Sequence, residues 1–112
     1  MHPQLQKLVL LQDIEANIRE AEEQGEQLKE MGFNLDGLAK LKDKAEVMAG
    51  EIDHRHLGYY RRLTKRFGHA VVPVIDNLCT GCFANIPASF VSATNENLIQ
   101  KCENCGRILY WP

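Results

Sequence analysis

The chain has 112 residues, with 45% apolar and 25% charged side chains and a formal charge of −2. That is the composition of a folded soluble chain with room for one ordinary domain or two very small ones; it excludes disordered and collagen-like classes. The apolar run Leu8 to Leu11 is far too short to span a bilayer, and no basic flank leads into a long apolar stretch. Neither a membrane partner nor secretion is therefore expected, and the expected location is cytoplasmic.

From Pro3 to Met31 there is no internal proline and a single glycine, Gly25. Apolar or small residues recur at Leu11, Ile14, Ile18, Ala21, Gly25 and Leu28, in the alternating steps of three and four that mark a coiled-coil seam. Pro3 suits a first helical turn, where its missing N–H is not needed. The stretch 32–37, Gly-Phe-Asn-Leu-Asp-Gly, is turn chemistry, with Asp36 placed to cap the next helix. A second seam runs through Leu38, Leu41, Ala45, Met48, Ile52, His56, Tyr59 and Leu63, and Gly68 is placed as a C-cap. The spacing predicts one helix over 3–31 and a second over 36–67, folded into an antiparallel hairpin. The stripe Leu5 to Leu11 is too wide for one partner helix, so a further element is expected to cover the open end. A dimer contact is the rival cover.

Charge is unevenly placed. Residues 1–30 carry three cations against seven acids, whereas residues 54–69 carry Arg55, Arg61, Arg62, Lys65 and Arg66 with no acid. If facing positions in the hairpin sum to about 69, Arg55 meets Asp13, while Arg61 and Arg62 face Lys7 and Leu8. The block then stands largely uncompensated, an electrostatic footprint for an anionic partner that Lys101 and Arg107 would extend. The plainer reading is that cations favour a helix C-terminus.

Residues 69–112 contain all four cysteines, Cys79, Cys82, Cys102 and Cys105, as Cys-x2-Cys-x19-Cys-x2-Cys. Two cysteines three apart in a tight turn aim both thiolates at one ion, and two such turns complete a tetrahedron. In a reducing compartment metal is favoured over disulfide, and a module this small needs a staple. One structural zinc is expected. Rubredoxin-like iron is the alternative, and a redox dithiol fits less well because no βαβ unit surrounds either pair. Short strands are expected at 70–75, 98–101 and 107–111, with a turn at Asp76-Asn77 and one or two helical turns within 87–93. The resulting fold class is α+β: a helical hairpin over 1–68 followed by a four-cysteine zinc ribbon over 69–112. Four sulfur ligands leave no open position, and no nucleophile–base frame is recognisable, so no enzymatic activity and no small-molecule substrate are expected.

The run Cys79-Thr-Gly-Cys82, Ile86-Pro87 and Cys102-Glu-Asn-Cys105-Gly-Arg-Ile-Leu-Tyr-Trp111, with the lead-in Val71 to Asp76, resembles the bacterial C4-type zinc-ribbon family with an N-terminal coiled coil, in a form with a shortened arm. The resemblance implies a metal-stapled, non-enzymatic protein that binds nucleic acid or meets the transcription machinery. A looser resemblance is to RNA polymerase secondary-channel regulators, which act through acids at a hairpin tip; here the tip offers Asp36, with Asp43 two turns on. A pure protein–protein module is the third reading.

Overall fold

The computed structural model describes residues 2–25, 36–91 and 98–112. Among the described residues, three helices precede a small sheet. Helix α1 (Pro3–Glu23) opens with His2 as N-cap, its Nδ1 accepting from the Gln4 N–H at 3.0 Å, and with Pro3 in the first turn. Helix α2 (Asp36–Gly50) runs back antiparallel along α1, tied by Lys42 to Glu22 at 3.0 Å and Lys7 to Glu51 at 3.9 Å. The expected turn and the distal part of the first helix, residues 26–35, lie outside the described residues.

The second expected helix is two helices. The chain leaves the helical path at residues 51–53 and restarts as α3 (His54–Phe67), with the Asp53 side chain accepting from the Arg55 N–H at 2.9 Å. Gly50 and Asp53 are ordinary stop and start signals, but the seam steps run unbroken through Ile52 and hide them. Gln4 satisfies the backbone groups exposed by the break: its Nε2 donates to Glu51 O at 3.2 Å and its Oε1 accepts from Asp53 N–H at 2.7 Å. The break also rotates the seam. Tyr60 and Leu63 are buried after it, with Leu57, Tyr59 and Phe67 partly buried beside them. Gly68 C-caps α3, its N–H donating to Thr64 O.

The sheet has the order β2-β1-β4-β3, built from β1 (Val71–Ile75), β2 (Leu78–Cys79), β3 (Gln100–Lys101) and β4 (Ile108–Tyr110). β1 and β2 form a hairpin closed by Asp76-Asn77, both at positive φ (53° and 60°), the signature of a primed two-residue turn. β1 and β4 pair in parallel. A single 3₁₀ turn (Ala88–Val91) follows the first cysteine pair; residues 92–97 lie outside the described ones.

Side chains alternate across this sheet. Val71, Ile108 and Tyr110 join Leu5, Leu8, Leu11, Ile52, Tyr60 and Leu63 in one apolar cluster. Val72, Val74, Leu109 and Trp111 join Ile86, Phe90 and the four cysteines in another. The sheet thus covers Leu5, Leu8 and Leu11 of the wide stripe at the open end of the hairpin, while Leu10 stays 50% exposed. Gln12 fastens the two. Its Oε1 accepts from the N–H groups of Ala70 and Val71 at 2.9 and 2.8 Å, and its Nε2 donates to Val71 O at 2.8 Å. β2 covers only the far end of β1, so Gln12 supplies the near end with a strand's worth of hydrogen bonding. Gln12→Leu strands three backbone groups in a half-buried setting, and urea unfolding of the zinc-loaded protein should show a loss of about 2–3 kcal/mol. A loss below about 0.5 kcal/mol would reduce Gln12 to a bystander.

Candidate metal centre

The two cysteine turns are built alike. Phe83 N–H donates to Cys79 O at 2.7 Å, and Gly106 N–H donates to Cys102 O at 2.9 Å. Both donors have positive φ, 62° for Phe83 and 82° for Gly106. Glycine takes that geometry freely; a side chain there costs roughly 1–2 kcal/mol, and Phe83 bears it with its ring 72% exposed.

The four Sγ atoms lie within 4.8 Å of one another. Across the turns, Cys79 and Cys105 are 3.8 Å apart and Cys82 and Cys102 are 3.6 Å apart. A tetrahedron with metal–sulfur bonds of about 2.3 Å has edges of about 3.8 Å, so the donor set fits one zinc. Backbone N–H groups of Gly81 and Cys82 point at Cys79, that of Ala84 at Cys82, and that of Arg107 at Cys105. These donors stabilise thiolate and leave the sulfurs to the ion.

Without the ion the thiols are unequal. Burial pushes the Cys79 thiol up to about 12 and also raises Cys105, whereas a hydrogen bond from the Asn104 side chain holds Cys82 down at about 6. Near neutral pH zinc must displace protons from both raised thiols.

Residues 78–109 match the family model for the C4-type zinc ribbon domain. The C-terminal module is a C4-type zinc ribbon. Four cysteines closing on one tetrahedral site make its zinc structural, with no position left for water. Among solved structures, CT398 from Chlamydia trachomatis aligns with a TM-score of 0.61 and 24% identity over 81% of this chain and 38% of its own. The HP0958 protein from Helicobacter pylori aligns with a TM-score of 0.61 and 21% identity over 80% of this chain and 36% of its own. The chain thus spans little more than a third of either protein, and what they share at this identity is the fold. No curated protein matches the chain in sequence. None of the described helices is long and apolar enough to cross a membrane.

The ribbon is joined to α3 through side chains that charge and ring chemistry alone would assign to a partner. Tyr59 Oη donates to Gly106 O at 2.5 Å, directly behind the second cysteine turn. The Arg107 guanidinium stacks 4.0 Å from the centre of the Phe67 ring, and its Nε donates to His69 O at 3.2 Å. It also lies against the first cysteine turn: a Cβ on Gly81 would sit within 2.9 Å of three Arg107 side-chain atoms. Glycine at 81 is what lets Arg107 cross there.

The expected facing partners of the basic block do not meet. Arg61 pairs with Glu15, which also accepts from the buried Tyr60 hydroxyl at 2.6 Å. Burial, and then Glu15, raise the Tyr60 phenol. Arg55 pairs with Asp53 at 3.5 Å, not with Asp13. Lys42 and Glu22 sum to 64 before the break between α2 and α3, and Arg61 and Glu15 to 76 after it, so the sum of 69 holds for neither helix. Arg55, Tyr59, Arg62 and Arg66 instead form one stripe of α3, at steps of four, three and four, with Lys101 of β3 stacked 3.9 Å from the centre of the Tyr59 ring. Lys65 is exposed and lies off this stripe.

Acid competes with zinc because protons bind the same sulfurs, so affinity rises with pH. With Cys79 and Cys105 both raised, zinc binding near neutral pH should release at least two protons. Affinity should change by about tenfold per released proton per pH unit. Calorimetric titration of zinc in buffers of different ionisation enthalpy measures this count. Release of fewer than one proton would contradict the assignment of raised thiols.

Proposed function

We propose that the protein is a non-catalytic cytoplasmic adaptor that binds nucleic acid through the basic stripe of α3 and the adjoining edge of its zinc ribbon. The reading is carried by one observation. Arg55, Arg62 and Lys101 line a common groove with His56 and Tyr59, and among the described residues no carboxylate lines it. Arg66 continues the row along the helix. Among the described residues neither Arg62, Arg66 nor Lys101 has an ion-pair partner. Arg55 keeps Asp53 beside it, whereas Arg62, Arg66 and Lys101 offer their charge to a polyanion, which releases its own counterions on binding. A ribbon closed by four sulfurs supplies rigidity to such a surface and no chemistry.

A regulator acting through the hairpin tip would use Asp36, which opens α2 next to residues 26–35 outside the described ones, and Asp43 sits well back along α2 in a shallow groove with Ile14, Val47 and Met48. That groove, with Val47 66% exposed, favours a protein contact as the second reading.

Binding of oligonucleotides should weaken steeply with salt. Replacing Arg62 and Arg66 together with glutamine should lower the log–log salt slope by roughly 0.7 to 0.9 for each phosphate that is no longer neutralised. Glutamine is a good helix former, so helicity should hold. A slope unchanged by both substitutions, or binding that does not respond to salt, would contradict the proposal.

A further inference from the structure

The groove between α3 and the ribbon has a shape and composition that go beyond a basic surface. It is a recess of about 350 Å³, walled on one side by Arg55, Tyr59 and Arg62 and on the other by Lys101, with half-buried Ile99 contributing apolar surface above the buried Ile108. That volume is at the small end of cavities that hold organic ligands. The Tyr59 ring organises it. The ring is fixed by its hydroxyl bond to Gly106 O, and it carries two cations over it, Lys101 Nζ at 3.9 Å and the Arg62 guanidinium at 5.8 Å. Two cations gathered on one ring at an exposed site gain only about 0.5–1 kcal/mol each from it, and among the described residues neither has an ion-pair partner. An anion lying between them supplies one, with charge-assisted hydrogen bonds from both.

We infer that this recess is a seat for a single nucleotide unit, its phosphate held between Arg62 and Lys101 and its base laid against Ile99 and the Tyr59 wall. The inference rests on the proposed nucleic-acid reading and narrows it. A phosphate alone explains the cations but leaves the apolar surface unused. A duplex keeps its bases stacked and paired inside, so a recess that takes phosphate and base together suits an unpaired nucleotide. Along α3, Arg55 stands at one end of the recess and Arg66 lies beyond the other, where the neighbouring phosphates of a strand would pass. The same chemistry is presented by a free nucleotide and by a nucleotide within a strand, and the two differ in whether those flanking cations contribute.

The test uses the full zinc-loaded chain and four probes: inorganic phosphate, adenosine 5′-monophosphate, a short single-stranded oligonucleotide and its duplex. Affinity is read by calorimetry, and the seat by NMR shifts of the Ile99 and Ile108 methyls. The single strand should bind tightest, the mononucleotide more weakly, inorganic phosphate more weakly still, and the methyls should shift with both nucleotides. Lys101→Gln and Arg62→Gln should each weaken the mononucleotide about tenfold or more, with zinc content unchanged, whereas Lys65→Gln should leave it as it was. Inorganic phosphate binding as tightly as the mononucleotide, or duplex as tightly as single strand, overturns the seat. So does a strand that binds with Lys101→Gln and Lys65→Gln equivalent, although the broader nucleic-acid reading then survives. A mononucleotide that binds at least as tightly as the strand sustains the seat and overturns the adaptor reading. If no probe binds, both fall.

Discussion

A strand offers its side chains alternately to two faces, and in β1 and β4 both faces are covered. Val71 and Ile108 enter the helical core while Val72 and Leu109 enter the cluster around the cysteines. This constraint ties the two halves together. Four short strands bury too little by themselves to stand free. The metal fixes one face from the sulfur side, and Leu5, Leu8 and Leu11 cover the other. Each of those leucines is almost fully buried, which contributes roughly 1.5–3 kcal/mol apiece. Both covers rest on the same two strands, since β1 and β4 feed each cluster.

The placement of the basic stripe depends on the same arrangement. Once Tyr60 and Leu63 are committed to α1, Tyr59 and Arg62 are turned toward the ribbon by the helical rotation. Tyr59 then reaches Gly106, and Lys101 reaches Tyr59. The proposed anion groove is therefore a by-product of docking as much as of charge: its two walls come from different halves of the chain. Arg107 belongs to the joint itself, held between Phe67, His69 and the first cysteine turn.

The metal centre is fully legible in the sequence, because sulfur spacing within a tight turn is a local property that needs no knowledge of packing. Helical content, the turn at Asp76-Asn77 and the Gly68 cap are legible for the same reason, whereas the primed type of that turn is read from its two positive φ angles. Features set by long-range geometry are not. The seam steps continue evenly across Ile52 and mask the cap signals of Gly50 and Asp53, so every facing pair beyond them comes out wrong. Gln4 and Gln12 give no signal at all. A glutamine on a helix reads as solvated surface until the backbone it serves, 47 to 59 residues away in sequence, is in place. The strain at Phe83 becomes readable only once its turn is set beside the twin that carries Gly106.

Zinc, sheet and helices should behave as one cooperative unit. A chelator titration followed at once by zinc release, by helical circular dichroism and by amide exchange at Leu8, Leu11 and Val71 measures this directly. The three signals should move together, with helical signal falling and those amides losing protection as zinc leaves. Zinc lost from a protein whose helices keep their full signal and whose α1 amides stay protected would show instead that the two halves stand independently.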